Sequence, residues 1–415
     1  MEMLSQSHYF SAFTLEEISM NTYIVIIILS AIVLASYLFD VIGSKIKIPS
    51  VIVLILSGIG LRILADSLHL QFPILSALLP PLGTIGLVLI VLEGSLDLTL
   101  SRDKIILVKR AALSALVLIL VTTAVLTAIL VYGFQASLLQ AIVNAVPLAV
   151  ISSAVAIPSA QGLDTKDQEF IVYESSLSDI LGVILFNFVA ERQDFGLSSF
   201  GEFGINISLT VILAVVACLG LALLITHIRH HIKFLPIISV LLLIYASAKV
   251  WHLSPLLIVL LFGLFVNNAH LIRHGKFAAF FRLDRMEEEV HKFSHLTAEM
   301  AFVIRTFFFI IFGYLADLPA MLDWEVLWMS GLIIAVVLAL RVGYLAIAFR
   351  GTERRIFPVA LIAPRGLITI LLFLNISPAF AVPGITQGLL MTVVIASALA
   401  MMVGIMMTRN APQTT

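Results

Sequence analysis

The chain has 415 residues, of which 61% are hydrophobic and only 12% are charged. Soluble globular proteins carry about 25% charged residues, so this composition excludes a soluble globular protein and indicates helices buried in a lipid bilayer. The formal net charge of −1 gives no reason to expect a nucleic-acid partner. The single cysteine, Cys218, lies in an apolar run and therefore excludes an intrachain disulfide and a cysteine-based zinc or redox centre.

Apolar runs near 20 residues predict thirteen transmembrane helices, because a helix of about that length crosses the hydrocarbon core. Residues 1–20 contain no lysine or arginine, and the first run is too long for a typical signal-peptide core, so we expect it to remain as the first span. The predicted spans are Asn21–Phe39, Ile48–Leu64, Leu82–Leu96, Ala111–Tyr132, Ala141–Ala160, Phe170–Val189, Ile205–Thr226, Phe234–Ala248, Ser254–Val266, Ala298–Leu315, Val326–Phe349, Phe357–Leu374 and Gln387–Met407.

The basic residues predict an orientation for these spans. If the N-terminus is outside, 18 of the 24 lysine and arginine residues fall in cytoplasmic segments, whereas Arg62, Arg192 and Lys249 fall outside. Cytoplasmic loops carry such an excess of positive charge, so we expect the C-terminus in the cytoplasm. In the longest loop, the amphipathic stretch from Phe280 to Glu289 predicts a helix lying on the cytoplasmic membrane surface.

Two spans carry a proline in corresponding places. The fifth contains Ala156-Ile157-Pro158-Ser159 and the twelfth contains Ala363-Pro364-Arg365-Gly366, each in the middle span of a triplet, spans 4–6 and 11–13. Seven spans separate the corresponding members, so the two triplets insert with opposite topology. Proline removes a helical hydrogen bond, and the freed backbone groups are tolerated at membrane depth only when they are buried or line a cavity. The pattern predicts two inverted repeats with crossed, discontinuous helices, as in secondary transporters.

Asp179 lies in the middle of the sixth span. A carboxylate at that depth costs about 3 kcal/mol by insertion scales, so it indicates ion or proton handling. Ser175 lies one turn away on the same face, whereas Glu174 points about 140° around the helix. Two carboxylates on different faces suggest that one faces an ion and that a buried arginine neutralises the other. The charged residues predicted within spans are Glu93, Glu174, Asp179, Arg305, Arg341 and Arg365.

These elements resemble the monovalent cation–proton antiporters, in particular the bacterial and archaeal sodium–proton exchangers and the related animal sodium–proton exchangers. The similarity covers essentially the whole membrane chain. The elements that carry it, in chain order, are Leu92-Glu93-Gly94, Pro158, Glu174-Ser175 with Asp179, Arg341-Val342-Gly343 and Pro364-Arg365-Gly366.

The resemblance implies that Asp179 binds either a monovalent cation or a proton. It further implies that Ser175 and Ser178 lie at the ion site, that Glu93 contributes through water or by its charge, and that the carbonyl of Ala156 completes the oxygen cage. The chain departs from the family pattern at two places. Ser178 stands where the branch usually has asparagine, and Ala156-Ile157 stand where it usually has Thr-Asp before the proline.

The same resemblance implies roles for the buried arginines. Arg341 pairs with Glu174 as a structural ion pair, and Arg365 offsets the partial negative ends of the helices interrupted at Pro158 and Pro364. Arg305 has two open interpretations from the residues themselves. It can hold the core against the scaffold, or it can pair with Glu299 or reach a backbone carbonyl.

We therefore expect one membrane transporter domain over residues 1–415. Residues 105–190 and 326–407 form the predicted six-helix ion-translocating core, and residues 21–97 and 205–315 form the scaffold. The resemblance implies a homodimer in the cell inner (plasma) membrane, without a cofactor and without enzymatic activity.

The expected function is exchange of Na⁺ or K⁺ for H⁺ by alternating access. With a single carboxylate facing the ion, Asp179, a one-for-one electroneutral exchange is the simplest expectation. The main alternative is a sodium-coupled symporter of a small organic anion on a similar fold, since uncompensated helix N-termini attract anions. An intramembrane aspartyl protease needs two facing aspartates, and Asp179 is the only aspartate deep in any predicted span.

Overall fold

The computed structural model describes residues 27, 30–38, 49–67, 69, 72, 74–98, 104–160, 163–190, 197–227, 234–251, 253–269, 283–350 and 356–409. In these residues the secondary structure is helical, joined by turns and short irregular segments, without a strand. The all-helical polytopic fold predicted from the sequence is therefore confirmed. Most basic residues behind the predicted orientation, such as Lys45, Arg273 and Arg354, lie outside the described residues.

Within the described residues, each predicted span coincides with a helix or with a pair of half-helices; of the first span, Asn21–Phe39, residues 27 and 30–38 are described. The helices are α1 (residues 30–38), α2 (Ser50–Ser67), α3 (Ile74–Asp97), α4 (Ile105–Phe134), α5 (Leu138–Ala149), α6 (Ser153–Ser159), α7 (Thr165–Ala190), α8 (Leu197–His227), α9 (Phe234–Val250), α10 (Pro255–Asn267), α11 (Leu283–Tyr314), α12 (Leu318–Met321), α13 (Trp324–Ala348), α14 (Ile356–Leu361), α15 (Leu367–Leu374) and α16 (Gln387–Arg409). By length and composition, eight segments in the described part of the chain can cross a membrane, one of them formed by α5 and α6 together.

The most extensive helix contacts fall into two groups. In one group, α11 packs against α2 and α3, and α10 packs against α3 and α8. In the other, α4 packs against α5 and α7, while α16 packs against α13 and α14. Helix α13 also contacts α4, so the second group draws helices from both halves of the chain.

Two glycines let α2 and α11 cross with their backbones in contact. A Cβ atom added at Gly58 would lie 2.1 Å from the carbonyl oxygen of Ile310, and one added at Gly313 would lie 2.2 Å from that of Ile55. Small residues allow this approach between membrane helices, where van der Waals packing drives association. Any larger side chain at either position would separate the two helices.

The fifth span is interrupted earlier than the sequence predicted. Helix α5 ends at Ala149 and α6 begins at Ser153, so the break covers residues 150–152 and Pro158 lies inside α6. The interruption therefore differs from the one predicted at Ala156-Ile157-Pro158-Ser159. The physical reason lies in α7, whose polar side chains accept the backbone amides that the break frees, as described below.

The twelfth span is interrupted at residues 362–366, a segment that contains Pro364 as predicted. The two breaks touch, because the amide of Ser152 donates to the carbonyl oxygen of Pro364 at 2.9 Å. This backbone hydrogen bond joins the two interrupted helices at their crossing point.

The amphipathic segment differs from the predicted surface helix. Residues 280–282 lie outside the described residues, but from Leu283 the backbone is helical without interruption to Tyr314, so the segment is the first part of α11. A helix of 32 residues is about 48 Å long, which exceeds the hydrocarbon thickness of about 30 Å. The segment therefore extends the tenth span beyond the hydrocarbon core.

Candidate functional site

Asp179 lies at the centre of the crossing, on α7, and is only 2% exposed. One of its oxygens, Oδ2, accepts a hydrogen bond from the backbone amide of Ser153 at 2.9 Å and a second from the Ser153 hydroxyl. The other oxygen, Oδ1, is buried without a hydrogen-bond partner among the described residues. The carboxylate thus holds the first turn of α6 with one oxygen and leaves the other oxygen open.

Ser152 and Ser153 were missed as site residues by the sequence reasoning. Both are buried at the break in the fifth span, and the Oγ atom of Ser152 has no hydrogen-bond partner in the described part of the chain. Because the break precedes Pro158, these two serines bring hydroxyl groups to the interruption, where the sequence analysis expected Ala156 and Ile157. The sequence does contain a signal for them, which is a pair of hydroxyl residues inside an otherwise apolar run.

The three remaining predicted oxygen ligands of α6 and α7 have other partners in this structure. Ser178 Oγ accepts the amide of Ile151 at 3.0 Å, so it satisfies a backbone donor of the break. Ser175 Oγ donates to the carbonyl oxygen of Ile171 at 2.7 Å. The carbonyl oxygen of Ala156 accepts the amide of Ala160 at 2.9 Å. Within the described residues, no hydrogen bond joins any of the three to Asp179.

Glu93 is half-buried on α3 and lines a small cavity between α3, α6 and α11. The cavity measures about 30 Å³, and Ser153 and Arg305 also line it. This volume suffices for a water molecule, which needs at least about 10–15 Å³ and two or more polar partners. Glu93 therefore shares a cavity with the serine that holds Asp179.

Glu174 and Arg341 form a buried ion pair between α7 and α13. The Nη2 and Nη1 atoms of Arg341 lie 2.6 and 3.0 Å from the two carboxylate oxygens of Glu174, and the two side chains are 2% and 1% exposed. The hydroxyl of Ser114 donates to Glu174 Oε1 at 2.5 Å. Arg341 also donates to the carbonyl oxygen of Ile362 at 3.3 Å, where α14 ends. Such a bidentate, charge-assisted pair is geometrically specific.

Arg365 lies in the second break and reaches the end of α5. Its Nε atom donates to the carbonyl oxygen of Leu148 at 2.9 Å, and Nη2 donates to that of Ala149 at 3.3 Å. Its Nη1 atom donates to the carbonyl oxygen of Ala363 at 2.6 Å. The last carbonyls of a helix have no helical donor and carry a partial negative charge, so the guanidinium supplies both hydrogen bonds and positive charge there.

The crossing therefore combines one buried carboxylate with an open oxygen and two buried arginines that bind broken helix ends. In the described part of the chain, no group of three His, Cys, Asp or Glu side chains is arranged to hold a metal ion. Interrupted helices crossing at such charged groups, in an all-helical membrane protein, define the class of secondary transporters.

Comparison with known proteins gives the family. The family model described as "Sodium/hydrogen exchanger, transmembrane" matches residues 25–409, nearly the whole chain. The protein therefore belongs to the sodium/hydrogen exchanger family. Among proteins with curated functions, none matches this chain in sequence.

Two solved structures share the fold. The sodium–proton antiporter MjNhaP1 from Methanocaldococcus jannaschii at pH 8 superposes with a TM-score of 0.66 at 16% identity, covering 92% of this chain and 95% of that chain. An electron-microscopy map structure of MjNhaP1 gives a TM-score of 0.65 at 16% identity, covering 94% and 96%. At this identity the likeness establishes the fold.

Family membership confirms the resemblance stated from the sequence. The chain is a multi-pass membrane protein of a transporter family, not of an enzyme family, and the family supports cation/proton antiport with sodium and protons as substrates. A place in the plasma membrane fits this membership. The roles of the individual site residues are proposals, developed next.

Proposed function

We propose that this protein exchanges Na⁺ or K⁺ for H⁺ by alternating access, with Asp179 as the group that binds cation and proton in turn. The observation that carries the proposal is that the two oxygens of the Asp179 carboxylate have different environments. Ser153 donates to Oδ2, whereas Oδ1 is buried with no partner among the described residues. A buried acceptor oxygen without a donor is costly, so it favours binding of a proton or a cation.

The proposed cation ligands are oxygen groups of the first break and of helices α3, α6 and α7. The buried, unpartnered hydroxyl of Ser152 is a candidate, because Ser152 adjoins the serine that holds Asp179. Ser175 and Ser178 keep oxygen lone pairs beyond the hydrogen bonds they make, as does the carbonyl of Ala156. Glu93 would act through water in the cavity it shares with Ser153.

Coupling of the two fluxes follows from the cost of a bare charge. A carboxylate without a partner is expensive in a low-dielectric interior, so the Asp179 region can change its exposure only when a proton or a cation neutralises it. With one exchanging carboxylate, one proton replaces one monovalent cation and the cycle is electroneutral. A site with few charged ligands also admits K⁺, which is larger and more easily dehydrated than Na⁺.

The proposed moving body is the core formed by residues 105–190 and 326–407. It would slide against the scaffold formed by residues 21–97 and 205–315, which would also form the homodimer contact. The positive-inside distribution supports an N-terminus outside and a C-terminus in the cytoplasm. The grouping of helix contacts supports the same division.

The test is Asp179→Asn in proteoliposomes with a pH-sensitive dye, comparing Na⁺, K⁺, Li⁺ and Rb⁺ across pH. Asparagine keeps the size of the side chain but does not ionise, so it cannot alternate between a charged and a neutral form. We therefore expect cation-driven proton movement to cease. Asp66→Asn is the matched control, because Asp66 is an exposed carboxylate on α2 that pairs with Arg62. Persistent cation-driven proton movement in Asp179→Asn would refute the proposal.

A second outcome separates antiport from the alternative transport mode. If an organic anion stimulates sodium uptake and no proton moves in the opposite direction, the protein is a sodium-coupled symporter. A membrane potential imposed with a gradient of a permeant anion, without K⁺ because K⁺ is a proposed substrate, tests electroneutrality, since an electroneutral exchange rate does not change with the imposed potential.

A further inference from the structure

Helix α6 contains a backbone carbonyl that its own helix cannot satisfy. In an α-helix the carbonyl of residue i accepts the amide of residue i+4, so the partner of Ala154 would be residue 158. Residue 158 is proline, which has no amide hydrogen. Pro158 therefore does not interrupt the fifth span but leaves the carbonyl of Ala154 without a helical donor.

Arg305 of α11 supplies the missing donor. Its Nη1 atom donates to the carbonyl oxygen of Ala154 at 3.2 Å, although the two residues are 151 positions apart in the chain. Ala154 is only 4% exposed, and a buried carbonyl without a partner would be costly. The hydrogen bond thus attaches the first turn of α6 to a helix of the proposed scaffold.

The same turn of α6 carries the contact with the exchanging carboxylate. Ser153 directly precedes Ala154, and its amide and hydroxyl both donate to Asp179 Oδ2. Arg305, Ser153 and Glu93 all line the cavity of about 30 Å³. Arg305 is therefore linked to Asp179 through two consecutive residues of one helical turn.

We propose that Arg305 is a positioning residue for the cation site: by binding the carbonyl that Pro158 leaves free, it holds the first turn of α6 so that Ser153 keeps its two donors on Asp179. This inference rests on the proposed function, because Asp179 must be the exchanging group for its position to affect cation affinity. Arg305 acts through α6 and does not itself bind the cation.

The prediction concerns cation affinity rather than turnover. Arg305→Met keeps the length of the side chain but removes its donors, and we expect it to raise the apparent KM for Na⁺ about five- to tenfold, as expected for loss of one hydrogen bond. The maximal exchange rate should fall by less than about twofold. Arg305→Lys retains a donor, so its apparent KM should lie between those of Arg305→Met and the unchanged protein.

Pro158→Ala provides an independent control, because alanine returns the amide that Ala154 lacks. In the Arg305→Met background it should recover most of the lost affinity, since the carbonyl then has a donor within α6. Pro158→Ala alone should raise the KM less than Arg305→Met does. These effects are measured as transport kinetics in proteoliposomes for the unchanged protein, Arg305→Met, Pro158→Ala and the double variant. Each rate is normalised to the amount of protein reconstituted.

Three results would overturn the proposal. If Pro158→Ala restores nothing while Arg305→Lys restores everything, Arg305 acts by its charge. If Arg305→Met lowers thermal stability but leaves the KM unchanged, Arg305 supports only the fold. If Arg305→Met does not fold, the double variant with Pro158→Ala still decides, because its failure to recover folding would show that the carbonyl of Ala154 is not the group that Arg305 serves.

Asp179→Asn separates this inference from the proposed function. An active Asp179→Asn variant would refute the exchange mechanism itself. An inactive Asp179→Asn variant together with normal kinetics of Arg305→Met would refute only the role of Arg305.

Discussion

The two breaks differ in the side chains that satisfy their freed backbone groups. At the first break, the freed amides of Ile151 and Ser153 are accepted by Ser178 and Asp179 of α7. At the second break, the amide of Arg365 is accepted by the neutral Ser397 hydroxyl, and Arg341 donates to the carbonyl of Ile362 at the end of α14. The Arg365 side chain donates to the carbonyls of Leu148 and Ala149, on the α5 side of the first break.

This difference supports placing the proposed exchange site at the first break. Freed amides require an acceptor, and a carboxylate acceptor can also bind a proton or a cation. Freed carbonyls require a donor, and a guanidinium offers no lone pair to a cation. The proposed site therefore lies at the first break, whereas the second break contributes fixed positive charge and structure.

The largest expected effect comes from Arg341→Met, which removes the donor side of the buried ion pair. Glu174 would keep a buried, unpaired carboxylate and the carbonyl of Ile362 would lose its donor, so we expect a loss of about 3–5 kcal/mol in the free energy of unfolding. Thermal unfolding of the purified protein in detergent measures it. Glu174→Gln combined with Arg341→Met should be less destabilised than Arg341→Met alone; equal stability of the two would show that the unpaired charge is not the cause.

Arg365→Met tests the other arginine at the breaks and should lower the free energy of unfolding somewhat less than Arg341→Met does. Three backbone carbonyls, those of Leu148, Ala149 and Ala363, would lose donors, but no carboxylate hydrogen-bonded to Arg365 would be left unpaired. We expect a loss of about 2–4 kcal/mol in the free energy of unfolding, because each unpaired buried carbonyl costs about 1–3 kcal/mol and water relieves part of this. The loss in Arg365→Lys should be smaller than in Arg365→Met. An unaltered melting temperature would argue against capping by Arg365.

Ser153→Ala tests the acceptor side of the comparison through transport kinetics. It removes one of the two donors to Asp179 Oδ2 and leaves the backbone amide in place, so we expect the apparent KM for Na⁺ to rise about tenfold. Ser57→Ala is the matched variant, because the Ser57 hydroxyl donates to the carbonyl of Val53 within α2 and has no proposed role at the site; its KM should change less than about twofold. A KM that rises no more in Ser153→Ala than in Ser57→Ala would contradict a role of the Ser153 hydroxyl at Asp179.

Lys104→Met should have the smallest effect, since it removes an ion pair in contact with water. Lys104 lies 2.8 Å from Glu169, and both side chains are about one-third exposed, so the pair should stabilise the protein by less than about 1 kcal/mol. The hydrogen bond from Lys104 to Glu169 raises the pKa of Lys104, so this contribution is complete at neutral pH and is lost as the pH rises through that pKa. The difference in melting temperature between Lys104→Met and the unchanged protein should shrink further in 1 M salt. A loss of unfolding free energy as large as that of Arg341→Met would contradict this prediction.

The hydropathy of the chain accounts for most of what could be predicted about the fold. Apolar runs of membrane length recur because every span must bury its backbone in lipid or protein, and that requirement is visible in the sequence itself. Asp179 was identifiable for the same reason, since a carboxylate inside such a run is rarely kept without a function. The expected neutralisation of Glu174 by an arginine followed from the cost of an unpaired buried charge.

The position of the first break was not predictable from proline. A proline removes one amide and so marks a carbonyl that needs another donor, but it does not determine where the helix stops. The break at residues 150–152 depends on acceptors from α7, which follows in sequence but must pack against that segment to accept its amides. The importance of Ser153 and the partner of Arg305 depend on the same long-range packing.

The sequence by itself determined the helical membrane fold and the charged groups that need partners, because hydrophobic length and buried charge are local properties of the chain. The family followed from the resemblance of short motifs in their order along the chain. Only the tertiary structure decided which partner each group has: Ser153 for Asp179, Ala154 for Arg305 and the end of α5 for Arg365. Hydrogen bonds depend on distances of about 3 Å between residues that can be more than a hundred positions apart, and packing alone sets those distances.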